Sequence, residues 1–226
     1  MDMSLYVTND KHTEKVYDSF AEMFKDNHFR VDEEHDFFKH FLSEYEQSCL
    51  EMTTEKVFLR GRINGKEAYE DKDLFAPPQD KANAGRLNPK GISFLYVAEE
   101  EKTVVSELRP WIGAEITIAT CEVLRELKLI SLVPNSSDAD TLNSFRRVIS
   151  AKFSKPIAPH EKELSYVPTQ YIAEYFKRRG YDGIKYSSAT HEEGINYVFF
   201  NPNKDFKVKI RNQIKVNSIN FDFNSI

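Results

Sequence analysis

The spacing of apolar residues near the start of the chain predicts two amphipathic helices. The first has its apolar residues at intervals of three and four, on one helical face: Val16, Phe20, Met23 and Phe24. The second runs from Phe37 to Tyr45, and charged residues fill the other faces of both segments. The composition changes near Met52, so we predict an N-terminal helical segment over 1–51 and a main domain over 52–226.

From residue 56 onward, short apolar runs are interleaved with helical patterns. The runs predict strands at 56–59, 92–98, 115–120, 127–133, 183–186, 197–200 and 206–210. Helical spacing recurs at 103–109, 137–151 and 169–179. A polar segment marked by glycine and proline predicts a loop over 76–91, and the weakly alternating tail from residue 212 would add an edge strand. Because helices and strands do not alternate regularly, the order favours a mixed α+β fold over a doubly wound parallel sheet.

Composition and charge narrow the range of partners. The 226 residues are 40% hydrophobic, enough to bury a core, and they carry a formal net charge of −5. This charge argues against a broad surface for nucleic acid or membrane, because both bind through accumulated positive charge. A few well-placed arginines can still hold a small anion such as a pyrophosphate.

The sequence favours a cytoplasmic location. Its two cysteines, Cys49 and Cys121, are far apart, which is typical of a reduced protein. The first residues hold no apolar run of signal-peptide length, and no segment reaches the roughly 20 apolar residues that span a bilayer. We therefore expect the protein to act in the cytoplasm, away from membranes.

Several common nucleotide and metal motifs do not occur in the sequence. There is no GxGxxG, GxxxxGK[ST] or HExxH pattern. His35 and His40 are five residues apart, a spacing that does not align on one helix face, so we predict no metal site there. If this chain binds a nucleotide, it must do so on another scaffold.

Candidate chemistry lies in four blocks, in the order Val57–Arg62, Ala76–Ala98, Thr103–Pro110 and Pro168–Phe200. Taken singly, each polar residue in them has an ordinary explanation. A lone arginine at a strand end is usually solvated, and a lone glutamate is usually an exposed helix charge. Gly85 alone would mark a turn that needs a positive φ. Only the ordered set of blocks is informative.

That ordered set resembles the RES family, which is named for an arginine, a glutamate and a serine. The resemblance covers residues 58–202 and implies a mixed or antiparallel split sheet similar to that of ADP-ribosyltransferase toxins. It also implies an enzyme that degrades NAD⁺, by phosphorolysis or hydrolysis, as the toxin of a toxin–antitoxin pair. The implied partner is a helix-turn-helix antitoxin of the Xre type, with no direct contact to nucleic acid.

The resemblance carries over residue by residue. Arg60 falls on the family's first arginine, Arg86 on the arginine of the Gly-Arg-x-Asn block, and Tyr96 on the tyrosine of the next strand. Glu107 falls on the glutamate and Ser188 on the serine. We expect Arg60, Arg86 and Glu107 to be catalytic, and Tyr96 and Ser188 to bind the substrate.

Three further residues are expected to contact the substrate. The family often has Tyr-Pro-Ser where this chain has Tyr-Ser-Ser, so Ser187 stays an alternative to Ser188. Asn88 ends the Gly-Arg-x-Asn block. Arg62 lies two residues after Arg60, on the same strand face, where we expect a secondary role.

The residue types suit the chemistry of NAD⁺. One guanidinium group can bind two phosphate oxygens at once. An aromatic ring can stack on the flat, cationic nicotinamide. Breaking the nicotinamide–ribose bond builds positive charge on the ribose, which a carboxylate such as that of Glu107 stabilises. The serine hydroxyl would bond to phosphate or to the nicotinamide amide.

Several questions stay open at the level of sequence. No cofactor is expected beyond NAD⁺ as the substrate, and the acceptor is water, inorganic phosphate as a second substrate, or a protein that becomes ADP-ribosylated. A catalytically inactive domain that binds a nucleotide or a protein is a further alternative. The N-terminal segment would either dock the antitoxin or pack on the edge of the sheet.

Overall fold

The computed structural model describes residues 3–26, 34–42, 46, 49–67, 69–137, 139–155 and 162–220. The described part contains these α-helices: α1 Met3–Asp26, α2 Glu101–Leu108, α3 Asp140–Ser154 and α4 Lys162–Arg178. None of them is both long and apolar enough to cross a membrane. Tyr45, predicted to end the second helix, and the last six residues of the tail lie outside the described residues.

Eight strands form the sheet: β1 Leu50–Thr53, β2 Val57–Ile63, β3 Leu95–Ala98, β4 Glu115–Val123, β5 Leu127–Ser131, β6 Gly183–Ser187, β7 Ile195–Phe199 and β8 Phe206–Lys215. Their order across the sheet is β1-β5-β6-β7-β3-β2-β4-β8. The β5–β6 pair is parallel and the other neighbouring pairs are antiparallel. The prediction of a mixed α+β fold is therefore confirmed.

The sheet opens between β2 and β3. These two strands share one residue pair, Leu59 with Ala98, whereas β2 pairs with β4 over its whole length. Beyond that pair, the next residues of β2 and β3 line a cleft and no longer pair through their backbones. The sheet is thus split into a five-strand part and a three-strand part, which confirms the split sheet implied by the family resemblance.

Helix α1 packs against α3 and α4 and shares their apolar core. Phe20 and Phe24 are buried on the predicted face, and Arg147 of α3 pairs with Asp10 of α1 at 2.8 Å. The predicted boundary near Met52 falls inside β1, which pairs with β5. In the described residues, the N-terminal segment is therefore tied to the main domain by both packing and strand pairing.

The second predicted amphipathic segment is helical, but it forms a π-helical turn over Phe37–Leu42 instead of a regular α-helix. The hydrogen bonds of a π-helix join residues five apart, so Phe37 and Leu42 lie about one wide turn apart, and both are fully buried. The ring of Phe37 stacks on Phe20 of α1 at 4.3 Å between centroids. Core packing thus overrides the α-helical spacing here.

Several elements are longer than the sequence predicts, among them β2, β8 and α4. β2 continues to Ile63 because it pairs with β4 as far as Ile116. β8 reaches Lys215, and this extension includes the start of the predicted tail strand. α4 begins at Lys162, so Pro168, which the sequence places just before the helix, lies inside it.

Candidate active site

The split between β2 and β3 forms a cleft of about 330 Å³, called here the split cleft. Its polar lining is contributed by Arg60, Arg62, Tyr96, Glu107, Tyr186, Asn196 and Tyr197. A larger cleft of about 1000 Å³, the outer cleft, shares Arg60, Arg62 and Tyr96 with it and extends along the 71–94 loop region. Both volumes fall in the range of about 300–1,000 Å³ typical of small-molecule sites.

Arg60 lies where the two strands part. Its Nη1 donates to the main-chain oxygen of Tyr96 at 2.9 Å, so the side chain occupies the gap left by the missing strand pairing. Its Nε is buried and has no partner among the described residues. Burial, helped by the neighbouring charge of Arg62, lowers the pKa of Arg60 to about 10, which still leaves it charged at neutral pH. The unpaired N–H is available to a ligand.

Glu107 lies near the end of α2, with its side chain exposed. Its Oε1 accepts two hydrogen bonds of 2.7 Å, one from Ser188 Oγ and one from Asn196 Nδ2. Helix α2 lies close to β2 because Gly61 has no side chain, and a Cβ there would lie 2.6 Å from Val104 of α2. The carboxylate is thus held by one oxygen, beside the strand that carries Arg60.

The two candidate serines have different surroundings. Ser188 Oγ accepts from the main-chain N–H groups of Thr190 and His191, at 3.1 and 3.2 Å, and its own proton goes to Glu107. Ser187 instead bonds to α3 through its main chain, where its N–H donates to Ser150 and its oxygen accepts from Ser154. Of the two, Ser188 is the one that contacts Glu107.

Asn88 and Tyr96 hold each other in place. The Tyr96 hydroxyl donates to Asn88 Oδ1 at 2.7 Å and accepts from the N–H of Leu87 at 3.3 Å, while burial raises the pKa of Tyr96. Asn88 Nδ2 donates to the main-chain oxygens of Asn83 and Ile92, at 2.9 and 2.8 Å. These bonds occupy the Asn88 side chain; Asn88 and Tyr96 both line the outer cleft, and Tyr96 also lines the split cleft.

Arg86 is not among the residues that line either cleft. Its Nη1 donates to the main-chain oxygen of Phe153, near the end of α3, at 2.9 Å. Its charge still acts on Tyr96 and Tyr186, whose pKa values are raised mainly by burial and lowered in part by Arg86. Arg86 therefore lies near the two tyrosines, and its expected role in catalysis stays a prediction.

Gly85 is required by close packing. The glycines with positive φ in the described residues are Gly91, Gly113 and Gly180, so the expectation of a positive φ at Gly85 is wrong. A Cβ at Gly85 would instead lie 2.5 Å from Asn88 Oδ1 and 2.9 Å from the Tyr96 hydroxyl oxygen.

We expect Gly85→Ala to separate Tyr96 from Asn88 and to destabilise the protein by about 1–3 kcal/mol, the usual cost of overpacking. Thermal unfolding measures the loss. Gly65→Ala is the matched control, because nothing lies within 4 Å of a Cβ at Gly65. Equal unfolding temperatures for the two variants would contradict the packing argument.

Tyr186 and Asn196 line the split cleft but were not singled out from the sequence. Both are buried, with 6% of their surface exposed. Asn196 interrupts an apolar run in β7, and a polar residue there signals a buried side chain that needs a hydrogen-bond partner. Tyr186 directly precedes the serine pair, and the sequence alone predicts an ordinary core residue at this position.

Comparison with known proteins yields a family match. The RES domain model matches residues 61–224. Among solved structures, the M. tuberculosis MbcT–MbcA toxin–antitoxin complex aligns at 11% identity over 78% of this chain and 92% of that one, with a TM-score of 0.44. An anti-CRISPR protein aligns at 12% identity over 70% and 97%, with a TM-score of 0.33. A search of curated proteins gives no match. Because the family model matches most of this chain, the chain belongs to the RES family.

Proposed function

We propose that this protein binds NAD⁺ across the split of its sheet and cleaves the bond between nicotinamide and ribose. The observation that carries this proposal is one cleft lined by both Arg60, with a buried and unpaired N–H, and Glu107, held by one carboxylate oxygen. Membership of the RES family supports NAD⁺ as the substrate. We further propose that the protein is a toxin acting on the NAD⁺ of the cytoplasm.

The two clefts suit the two halves of NAD⁺. Nicotinamide and its ribose would occupy the split cleft beside Glu107, and the ADP half would extend into the outer cleft. Arg60 and Arg62 line both clefts, so they would meet the pyrophosphate between the two halves. The Tyr96 ring, whose hydroxyl is already bonded to Asn88, would lie against the nicotinamide.

Glu107 would act on the charge that develops during cleavage. When the C–N bond breaks, its electron pair goes to the nicotinamide nitrogen, which becomes neutral, and the ribose gains oxocarbenium character. The negative charge of Glu107 stabilises that species. Water, phosphate or a protein nucleophile then attacks the ribose carbon and completes the reaction.

Arg60 provides a test of substrate binding. We expect Arg60→Lys to weaken NAD⁺ binding by about 10-fold or more, because lysine keeps the charge but loses the planar fork that contacts phosphate oxygens. Because active protein would consume NAD⁺ during the measurement, isothermal titration compares the two residues at position 60 in the Glu107→Gln background. Arg211→Lys, on the exposed face of β8, is the control and should bind as the wild type does. Unchanged affinity in Arg60→Lys would contradict the assignment.

The identity of the second product decides the acceptor. Purified protein is incubated with NAD⁺ in buffers with and without phosphate, and the phosphorus-containing products are followed by ³¹P NMR. Phosphorolysis yields ADP-ribose carrying an added phosphate, hydrolysis yields ADP-ribose, and protein modification leaves ADP-ribose on a polypeptide. NAD⁺ that stays intact in every buffer would favour the inactive, binding-only alternative.

Family membership also supports a protein partner, a helix-turn-helix antitoxin of the Xre type that covers the cleft. Two large apolar residues lie shortly after the end of α2: Trp111, which is 62% exposed, and Ile112, which is 64% exposed. An apolar surface therefore adjoins the helix that carries Glu107. Inducible expression should arrest growth, and co-expression of the antitoxin should restore it. Normal growth on expression alone would contradict the toxin assignment.

A further inference from the structure

The amide of Asn196 is buried and directed at an exposed carboxylate. Only 6% of Asn196 is exposed, yet its Nδ2 lies 2.7 Å from Glu107 Oε1. Its main chain is fixed on both sides, since β7 pairs Asn196 with Ala98 of β3 and with Tyr186 of β6. The amide therefore projects from a strand in the interior of the sheet, next to the split.

The chemistry of the contact determines which atom of the Asn196 amide faces Glu107. An ionised carboxylate only accepts hydrogen bonds, so the nitrogen of the Asn196 amide, and not its oxygen, must face Glu107. Ser188 donates to the same oxygen, and its lone pairs face the N–H groups of Thr190 and His191. Two donors from different segments thus meet on Oε1. No hydrogen bond to Oε2 is found among the described residues.

We propose that Asn196 is a positioning residue for the reaction, which holds the Glu107 carboxylate turned so that Oε2 faces the substrate. This proposal rests on the proposed function. Without Asn196, Ser188 alone would hold the carboxylate through Oε1, leaving it freer to rotate away from the substrate.

Kinetics with NAD⁺ test this role. We expect Asn196→Ala to lower kcat by about 10- to 100-fold, the factor that corresponds to a lost hydrogen bond to a charged group, with a much smaller change in KM. Asn203→Ala, in an exposed turn, is the control. A purely structural role would lower the folded fraction but leave kcat per folded molecule unchanged.

Asn196→Asp adds a pH dependence of activity that a purely packing role of Asn196 would not produce. Ionised aspartate would repel Glu107, whereas protonated aspartate can donate to it, so the activity of this variant relative to wild type should rise as the pH falls. A flat ratio across pH, together with Asn196→Ala activity within twofold of wild type, would overturn the proposal.

A measurement that needs no turnover separates the two proposals. In ¹⁵N-labelled protein, the Asn196 side-chain amide signal, identified by its loss in Asn196→Ala, should exchange slowly with solvent. Replacing Glu107 with alanine should speed that exchange. Unchanged exchange would overturn the positioning role even if NAD⁺ is cleaved. If wild-type protein cleaves no NAD⁺, the proposed function fails, and the exchange measurement alone decides whether Asn196 holds Glu107.

Discussion

Replacing Glu107 with glutamine is expected to lower kcat for NAD⁺ cleavage by at least about 100-fold, the scale seen when a group that stabilises transition-state charge is removed. Glutamine keeps the shape of the side chain, and its carbonyl oxygen still accepts from Ser188 and Asn196. What it loses is the negative charge that faces the ribose. Because the side chain is exposed, the free energy of unfolding should change by less than about 0.5 kcal/mol.

This prediction has a matched control in Glu126→Gln. Glu126 is exposed in the turn between β4 and β5, away from the residues of the split cleft. The Glu126→Gln variant should retain the kcat and the unfolding temperature of the wild type. The KM for NAD⁺ of the Glu107→Gln variant should stay close to that of the wild type, which would show that the loss lies in the chemical step. Half or more of the wild-type kcat in Glu107→Gln would show that the carboxylate is not catalytic.

Phe20→Ala is expected to destabilise the protein by about 3–5 kcal/mol, the usual cost of removing a buried phenylalanine. Phe20 is fully buried and contacts Phe37 and Phe24 at 4.3 and 5.1 Å between ring centroids. It belongs to the same core cluster as residues of α3 and α4. For a chain of this length, the melting temperature should fall by about 6–20 °C.

The same experiment tests how the N-terminal segment relates to the rest. Glu22→Ala, at an exposed position of α1, is the control and should unfold close to wild type. A shared core predicts one unfolding transition that moves as a whole in Phe20→Ala. Two transitions, of which only one moves, would support residues 1–51 and 52–226 as separate folding units.

The sequence pattern predicts the local elements of this fold better than their pairing. Helical spacing identifies α1, α3 and α4, because burial of one helix face requires apolar residues at regular intervals along the sequence. The short strand β1 was missed, because Leu50 and Met52 are exposed and leave too brief an alternation. The single pair between β2 and β3 could not be foreseen from periodicity, since strand pairing depends on residues far apart in the chain.

The order of motif residues predicts which side chains to examine, but not what each one contacts. Ser188 meets Glu107 across 81 residues of sequence, and no local pattern encodes that contact. Asn88 lines the outer cleft, but its side chain is bonded to Tyr96 and to main-chain oxygens of its own loop, so its contact with the substrate stays a prediction. Asn196, which lies in the fourth block but was given no role there, supplies the second donor to Glu107.

Release of nicotinamide is the most direct test of NAD⁺ cleavage at the split of the sheet. Catalytic amounts of purified protein are incubated with excess NAD⁺, with and without phosphate, and both compounds are measured by chromatography. The account predicts one nicotinamide for each NAD⁺ lost, over many turnovers, and almost none with Glu107→Gln. Folded wild-type protein that leaves NAD⁺ intact in both buffers would contradict it.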